Sequence, residues 1–170
     1  RDLTASAPTQ NTATIGSAKT FTSNISNTGT ISTGGSFFNS LQVATAAGGV
    51  GAVSPLVTST PSPMTTLAAG ASSSASASYT FTGSAGTRSV RFCADNNTNM
   101  SGTITETPAS AEINNCSSWV NVIVSAACSV NQGNACSSSP NSCGQVSSGV
   151  IQCSGNCSAV TPSESSCSGG

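Results

Sequence analysis

An alternation of apolar and polar side chains runs through much of residues 1–125, and it limits the possible fold more than any other feature of the sequence. Residues 75–82 alternate Ala, Ala, Tyr and Phe with Ser and Thr, and residues 21–26 and 119–124 repeat the period. A period of two is that of a strand with one face buried and the other in water. Long stretches with helical spacing are absent from the sequence. The pattern therefore predicts an all-β fold.

Turn-forming residues separate the alternating runs. Gly34-Gly35 and Gly48-Gly49 end two of them, and the proline-rich stretch 54–63 follows a third. Short strands are expected at roughly 3–7, 18–26, 36–45, 50–58, 73–82, 87–94 and 118–125. About seven short strands with turns between them predict an immunoglobulin-like β-sandwich over residues 1–125.

Residues 126–170 differ in texture, because they contain six of the eight cysteines among Ser, Gly and Asn. A segment this polar gains order through cross-links, which predicts a second, loop-dominated unit stapled by disulfides. Zinc would need closely spaced cysteine pairs or histidine, and the chain has no histidine. Six cysteines allow fifteen pairings, so the connectivity stays open for Cys128, Cys136, Cys143, Cys153, Cys157 and Cys167.

The other two cysteines, Cys93 and Cys116, bracket the segment before the last predicted strand. We expect a disulfide between them, which would close a loop of about two dozen residues. Cysteine density of this kind is typical of oxidising, extracellular compartments. The chain begins at Arg1 without a signal peptide, as expected for a secreted protein whose export signal has been removed.

The low charge of the chain excludes several classes of function. Only 5% of the residues are charged, and the net charge is −1. Nucleic-acid binding needs a clustered basic face, and a membrane span needs an apolar run of about 20 residues, so the sequence predicts neither. The commonest general base, histidine, is missing, and a glycosidase-type carboxylate pair would lack an aromatic-lined cleft. We therefore expect a protein that is not an enzyme.

Several segments of the sequence, taken in order, carry a family resemblance. They are Asp-Leu-Thr at 2–4, Phe-Thr-Ser-Asn-Ile-Ser-Asn-Thr-Gly-Thr at 21–30, Leu-Ala-Ala-Gly-Ala-Ser at 67–72, Val-Arg-Phe-Cys-Ala-Asp-Asn at 90–96, Ile-Thr-Glu at 104–106 and Glu-Ile-Asn-Asn at 112–115. Together they resemble CARDB-type domains, the immunoglobulin-like modules of bacterial and archaeal cell surfaces. The chain departs from that pattern in a longer insert between Asp95 and Glu112 and in the cysteine pair that brackets it. The resemblance covers about residues 1–125 and implies a sandwich with a non-catalytic adhesion or surface role.

Acidic and amide side chains are concentrated between residues 95 and 115. Oxygen ligands of this kind suit calcium, and the candidates are Asp95, Asn97, Asn99, Glu106 and Glu112. An EF-hand is excluded, because Met100 stands where such a loop needs glycine and no helices flank it. Two alternatives stay open: a looser calcium site at the sandwich edge, or side chains that cap the turns of a disulfide-pinned loop. Calcium is the one cofactor considered.

Two further sets of residues are candidates for surface roles. The sequons predict glycosylation sites at Asn24, Asn96, Asn99, Asn115 and Asn156. The strand pattern places large apolar groups outward and makes residues 1–10 a candidate donor strand, so the assembly surface would comprise Leu3, Ala5, Ala7, Phe38, Trp119 and Ile123.

These observations lead to one main hypothesis and one alternative. The main hypothesis is a secreted structural subunit that polymerises with copies of itself into a surface filament or sheath, strengthened by disulfides and glycans. The alternative is an adhesin module that binds carbohydrate or a protein partner.

Overall fold

A computed structural model describes residues 1–96, 102–107, 113–127, 135–137 and 148–150, without the side chains of 54–56, 135–137 and 148–150. The chain forms two compact units, Arg1–Ser125 and Ala126–Gly170. That these are separate domains stays a prediction. The described residues include no helix long and apolar enough to cross a membrane.

The first unit is a sandwich of two sheets, as predicted. Its strands are β1 (Leu3–Ala5), β2 (Thr12–Thr14), β3 (Ala18–Asn27), β4 (Ser40–Ala44), β5 (Val53–Thr58), β6 (Ser72–Thr80), β7 (Gly86–Cys93) and β8 (Val120–Ser125). One sheet has the order β1-β3-β6, and the other has the order β2-β8-β7-β4-β5. A short 3-10 turn, Ala47–Gly49, follows β4.

The first part of the chain crosses from one sheet to the other. β1 pairs antiparallel with β3, whereas β2 pairs parallel with β8. The alternation predicted one strand over 3–7 and missed β2, because three residues are too few to show a period. This crossing fixes the N-terminal segment along one side of the sandwich.

The core lies between the sheets and contains the inward-facing residues of the alternating runs. In β3, Phe21, Ser23 and Ile25 are buried, and the residues between them are exposed or half-buried. The largest fully buried side chains include Phe21, Phe37, Phe92, Leu3, Ile25, Leu41 and Met64. Ring edges meet ring faces in this core, and the centroids of Tyr79 and Phe81 lie 4.9 Å apart.

Strand β4 departs from simple alternation, because all five of its residues are buried. Leu41 and Val43 belong to the core, as their parity predicts. On the other parity, Ser40 donates a hydrogen bond to Asn96 Oδ1 at 2.8 Å, and Gln42 Oε1 accepts one from Arg91 Nε at 2.8 Å. The outward face of the five-stranded sheet is therefore partly covered.

The free edge of β6 is protected from pairing with another strand by a short backbone bridge and a proline, and not by charged side chains. Thr60 forms a two-way backbone bridge with Ser76, with N···O distances of 2.7 and 2.9 Å. Pro61, which follows Thr60, has no backbone N–H and cannot extend such a bridge. A bridge followed by proline limits edge-to-edge pairing in a strand without charged side chains.

Of the second unit, the structure describes a two-stranded antiparallel hairpin. β9 (Ala135–Ser137) pairs with β10 (Ser148–Val150), and Cys136 lies opposite Gly149. Disulfides were predicted among the six cysteines of residues 126–170, and their side chains lie outside the part of the chain that the structure describes.

Candidate functional site

The predicted disulfide between Cys93 and Cys116 is present, with the two Cα atoms 4.0 Å apart. Cys93 is the last residue of β7 and forms an antiparallel bridge with Cys116. On either side of it, Ala94 N donates to Asn115 O at 2.9 Å and Ser117 N donates to Phe92 O at 2.8 Å. The disulfide therefore joins residues that the backbone already pairs.

Asp95, one of the predicted calcium ligands, lies just beyond this disulfide and is buried. It has a left-handed backbone with φ of 43°. Its Oδ2 accepts hydrogen bonds from Thr103 N at 2.9 Å and from Ile104 N at 2.6 Å, and its Oδ1 accepts one from the Thr103 hydroxyl at 3.1 Å. The carboxylate thus holds a turn eight and nine residues further along the chain.

Glu106, a second predicted calcium ligand, is also buried. Its Oε1 accepts hydrogen bonds from Leu3 N at 3.0 Å and from Asn115 Nδ2 at 3.3 Å. The side chain therefore connects the N-terminal strand to the segment that carries Cys116.

The described carboxylates serve as hydrogen-bond acceptors. Asp95 and Glu106 direct oxygens at N–H and O–H donors, which accounts for their buried positions. Within the described ranges, no group of three or more acidic, histidine or cysteine side chains could hold a metal ion. Asn97, Asn99 and Glu112 lie outside the described residues. Asp95 caps a turn, as the second alternative describes, and the calcium site stays a prediction.

Asn27 organises the same end of the sandwich, and the sequence analysis missed it. It is fully buried. Its Oδ1 accepts from Asp2 N and Gly29 N, both at 3.2 Å, and its Nδ2 donates to Ile31 O at 2.8 Å. A signal was available, because the parity that buries Phe21 places Asn27 inside as well.

The outward face of the five-stranded sheet carries a second organised group, centred on Arg91 and Trp119. The guanidinium carbon of Arg91 lies 4.5 Å from the centroid of the Trp119 ring, a cation–π contact. Arg91 Nε donates to Gln42 Oε1 at 2.8 Å, and these two residues are direct cross-strand partners. Burial lowers the pKa of Arg91 from its usual value, because desolvation disfavours the charged form.

The 3-10 turn Ala47–Gly49 covers the other part of the indole. Gly48 N donates to Asn121 Oδ1 at 2.9 Å, and Gly49 N donates to Ser89 Oγ at 2.8 Å. Gly49 has a φ of +80°, and a Cβ atom there would overlap the Trp119 ring. Trp119 is consequently half-buried on the outward face, where its parity predicted it, and is not a free apolar surface group.

Comparison with known proteins assigns the first unit to a family. The CARDB family model matches residues 1–119. The chain belongs to the CARDB family. No curated protein matches it.

Two solved structures similar to this CARDB chain are both of the CARDB domain of the PF1109 protein from Pyrococcus furiosus. A crystal structure in complex with di-metal ions shares 19% identity with a TM-score of 0.45, covering 72% of this chain and 87% of that one. A solution NMR structure shares 14% identity with a TM-score of 0.47, covering 73% of this chain and 94% of that one. The resemblance read from the sequence is confirmed by the family match.

The CARDB fold distributes the predicted assembly residues over different environments. Leu3 is fully buried in the core, and Ala5 is half-buried against it. Ala7 is exposed, Phe38 is 37% exposed and Ile123 is 61% exposed. The structure thus brings Leu3 and Ala5 into the chain's own sandwich and leaves Phe38 and Ile123 at the surface.

The asparagines of the described sequons differ in how far they are exposed to solvent. Asn24 is exposed on β3. Asn96 is half-buried and accepts a hydrogen bond from Ser40. Asn115 is buried with its amide nitrogen directed at Glu106, which leaves no room for a glycan in the folded domain. Asn99 and Asn156 lie outside the described residues. Of the described sites, Asn24 is the one whose residue is exposed.

Proposed function

We propose that this CARDB chain is a non-catalytic structural protein of a microbial cell surface, which self-assembles into a filament or sheath. The non-catalytic role is supported by the structural hydrogen bonds that Asp95 and Glu106 accept. Both buried carboxylates accept hydrogen bonds that hold loops and the N-terminal strand. Groups engaged in this way serve stability, so the useful chemistry of the chain would lie on its surface.

The N-terminal strand supports assembly by strand exchange. Among the described strands, β1 pairs only with β3, through Leu3–Asn27, Thr4–Ser26 and Ala5–Ile25. Leu3 fills a core position with no exposed area. The β1 strand of a second copy would make the same pairings and fill the same position, so exchange would conserve the contacts while joining two chains.

The experiment compares the intact chain with a variant whose β1 is locked to its own β3. Thr4 and Ser26 are cross-strand partners, and Thr4→Cys with Ser26→Cys would form the lock. Thr20→Cys with Ser78→Cys is the matched control, since it links β3 to β6 and leaves β1 free. Light scattering and electron microscopy report the assembly, and peptide mapping verifies the new bridge in each variant.

The expected result is that the intact chain and the control assemble, whereas the locked variant stays monomeric. A monomeric intact chain at all concentrations would overturn self-assembly. A locked variant that assembles normally would overturn strand exchange alone.

The alternative function, an adhesin module that binds a partner, is favoured by one observation. Among the residues that the structure describes, Arg91 is held on the outward face by Trp119 and Gln42 and by no carboxylate.

A further inference from the structure

The side chain of Arg91 is held in place by residues of neighbouring strands. It is on β7, which lies between β8 and β4 in the five-stranded sheet. Trp119 supports one face of the guanidinium, and Gln42 accepts the Nε–H. A guanidinium held on its face and on one edge loses little further freedom when its remaining donors bind.

Several contacts serve to hold the Trp119 platform in place. Ser89 Oγ donates to Ala46 O at 2.6 Å and accepts from Gly49 N, which fastens the 3-10 turn to β7. Gly49 then packs directly on the indole. Because these contacts involve a backbone turn and two strands, the orientation of the indole is set by the fold.

The charge of Arg91 is not balanced by any carboxylate in the described part of the chain. Asp2 is bonded to Thr28 and Asn114, and the contacts of Asp95 and Glu106 lie elsewhere. Among the described residues, the two terminal nitrogens of Arg91 make no hydrogen bond. Neither of these nitrogens is fully buried. Within the described residues their N–H groups are therefore available as a planar fork, the geometry that binds a carboxylate through two parallel hydrogen bonds.

We propose that Arg91 and Trp119 form a binding site for an Asp or Glu carboxylate in an acidic segment of a protein partner. The surrounding surface favours a protein, because apolar side chains are exposed on the neighbouring strand β8 and directly after the 3-10 turn that covers Trp119. Ile123 is 61% exposed on β8, and Val50 is 66% exposed directly after the 3-10 turn. Arg and Trp beside apolar side chains are typical of the residues that contribute most to protein–protein binding. The site is separate from the strand exchange proposed above.

Trp119 supplies a direct readout, since it is the only tryptophan in the chain. The probe is a soluble peptide of alternating Glu and Val residues, and its Gln–Val counterpart is the matched control. Binding to the full chain is followed by tryptophan fluorescence and by the NMR signal of the Trp119 Nε1–H group. We expect the Glu peptide to shift both signals and the Gln peptide to leave them unchanged.

Three substitutions at two arginines on β7 test the assignment. Arg91→Gln should raise the Kd for the Glu peptide by about tenfold or more, because the bidentate contact is lost. Arg88→Gln removes the same charge from a residue whose guanidinium is bonded to Ser84 O and Thr87 O, and should change the Kd by less than about twofold. Arg91→Lys should bind weakly, since it keeps the charge and loses the planar fork.

Four results would overturn the proposal: no binding of the Glu peptide, equal binding of the Gln peptide, unchanged binding by Arg91→Gln, or a response to oligogalacturonate alone. The last would assign the site to an acidic polysaccharide. A monomeric chain that binds the Glu peptide would count against self-assembly and leave this inference intact.

Discussion

The backbone N–H of Leu3 donates a hydrogen bond to Glu106 Oε1 at 3.0 Å, across 103 positions of sequence. Both groups are buried. The contact ties β1 to the loop that the Cys93–Cys116 disulfide closes, so the N-terminal strand and the acidic loop form one structural unit. Glu106 therefore acts as a structural acceptor between these two segments.

Replacing Glu106 with Ala should destabilise the first unit by about 2–4 kcal/mol, because the Leu3 N–H and the Asn115 amide would be buried without an acceptor. Urea unfolding followed by circular dichroism measures the change. Glu106→Gln is the control, since it retains a carbonyl oxygen at the same place and should lose less stability. Equal losses in the two variants would show that the charge, rather than the acceptor, is what matters.

Asp95→Ala should also destabilise the domain, by about 2–3 kcal/mol, through the loss of the acceptors for Thr103 and Ile104 and the strain of a left-handed Ala. Asp95→Asn should cost less, because Asn tolerates this backbone and keeps one acceptor oxygen. Thermal unfolding of the two variants separates them. An Asn variant as unstable as the Ala variant would contradict this account.

Calcium and its chelation should leave the melting temperature of the chain unchanged. The oxygens of Asp95 and Glu106 already accept hydrogen bonds from buried donors, so a cation there would compete with those donors. Thermal unfolding in EDTA and in millimolar calcium measures the effect, with magnesium as the ionic-strength control. A rise of several degrees specific to calcium would reveal a site.

Removing the Cys93–Cys116 disulfide by the double replacement with Ser should cost about 3 kcal/mol, because the cross-link restricts the unfolded chain over a separation of 23 residues. The domain should still fold, since the flanking backbone pairs of Ala94 and Ser117 persist. Chemical denaturation gives the free energy of unfolding. Loss of folding in the double variant would mean that the disulfide is needed to form the loop at all.

Gly49→Ala should shift the fluorescence of Trp119 to longer wavelength, because the added methyl group displaces the indole from its contact. Gly48→Ala is a matched control, since Gly48 also has a positive φ but open space around its Cα. Both should lose about 1 kcal/mol to backbone strain, and the Gly49 variant should lose more because its methyl group overlaps the indole. Only the Gly49 variant should change the emission spectrum, and identical spectra for both would contradict the packing described for Trp119.

The alternation of side chains was sufficient to predict the sandwich, since a period of two reports which face of each strand meets the core. The Cys93–Cys116 bridge and the family resemblance were likewise available from the sequence. Strand β2 was not, because its three residues carry no period and pair only through their position beside β8.

The roles of the polar residues depended on the tertiary structure. Asp95 and Glu106 looked like cation ligands in the sequence, and the fold directs backbone and amide donors at them from residues as distant as Leu3. Trp119 had the parity of an exposed residue, and the 3-10 turn and Arg91 cover it. The local alternation of residues predicts only the face of the strand from which a side chain projects. What that side chain then meets is decided by the register of strands that are far apart in sequence.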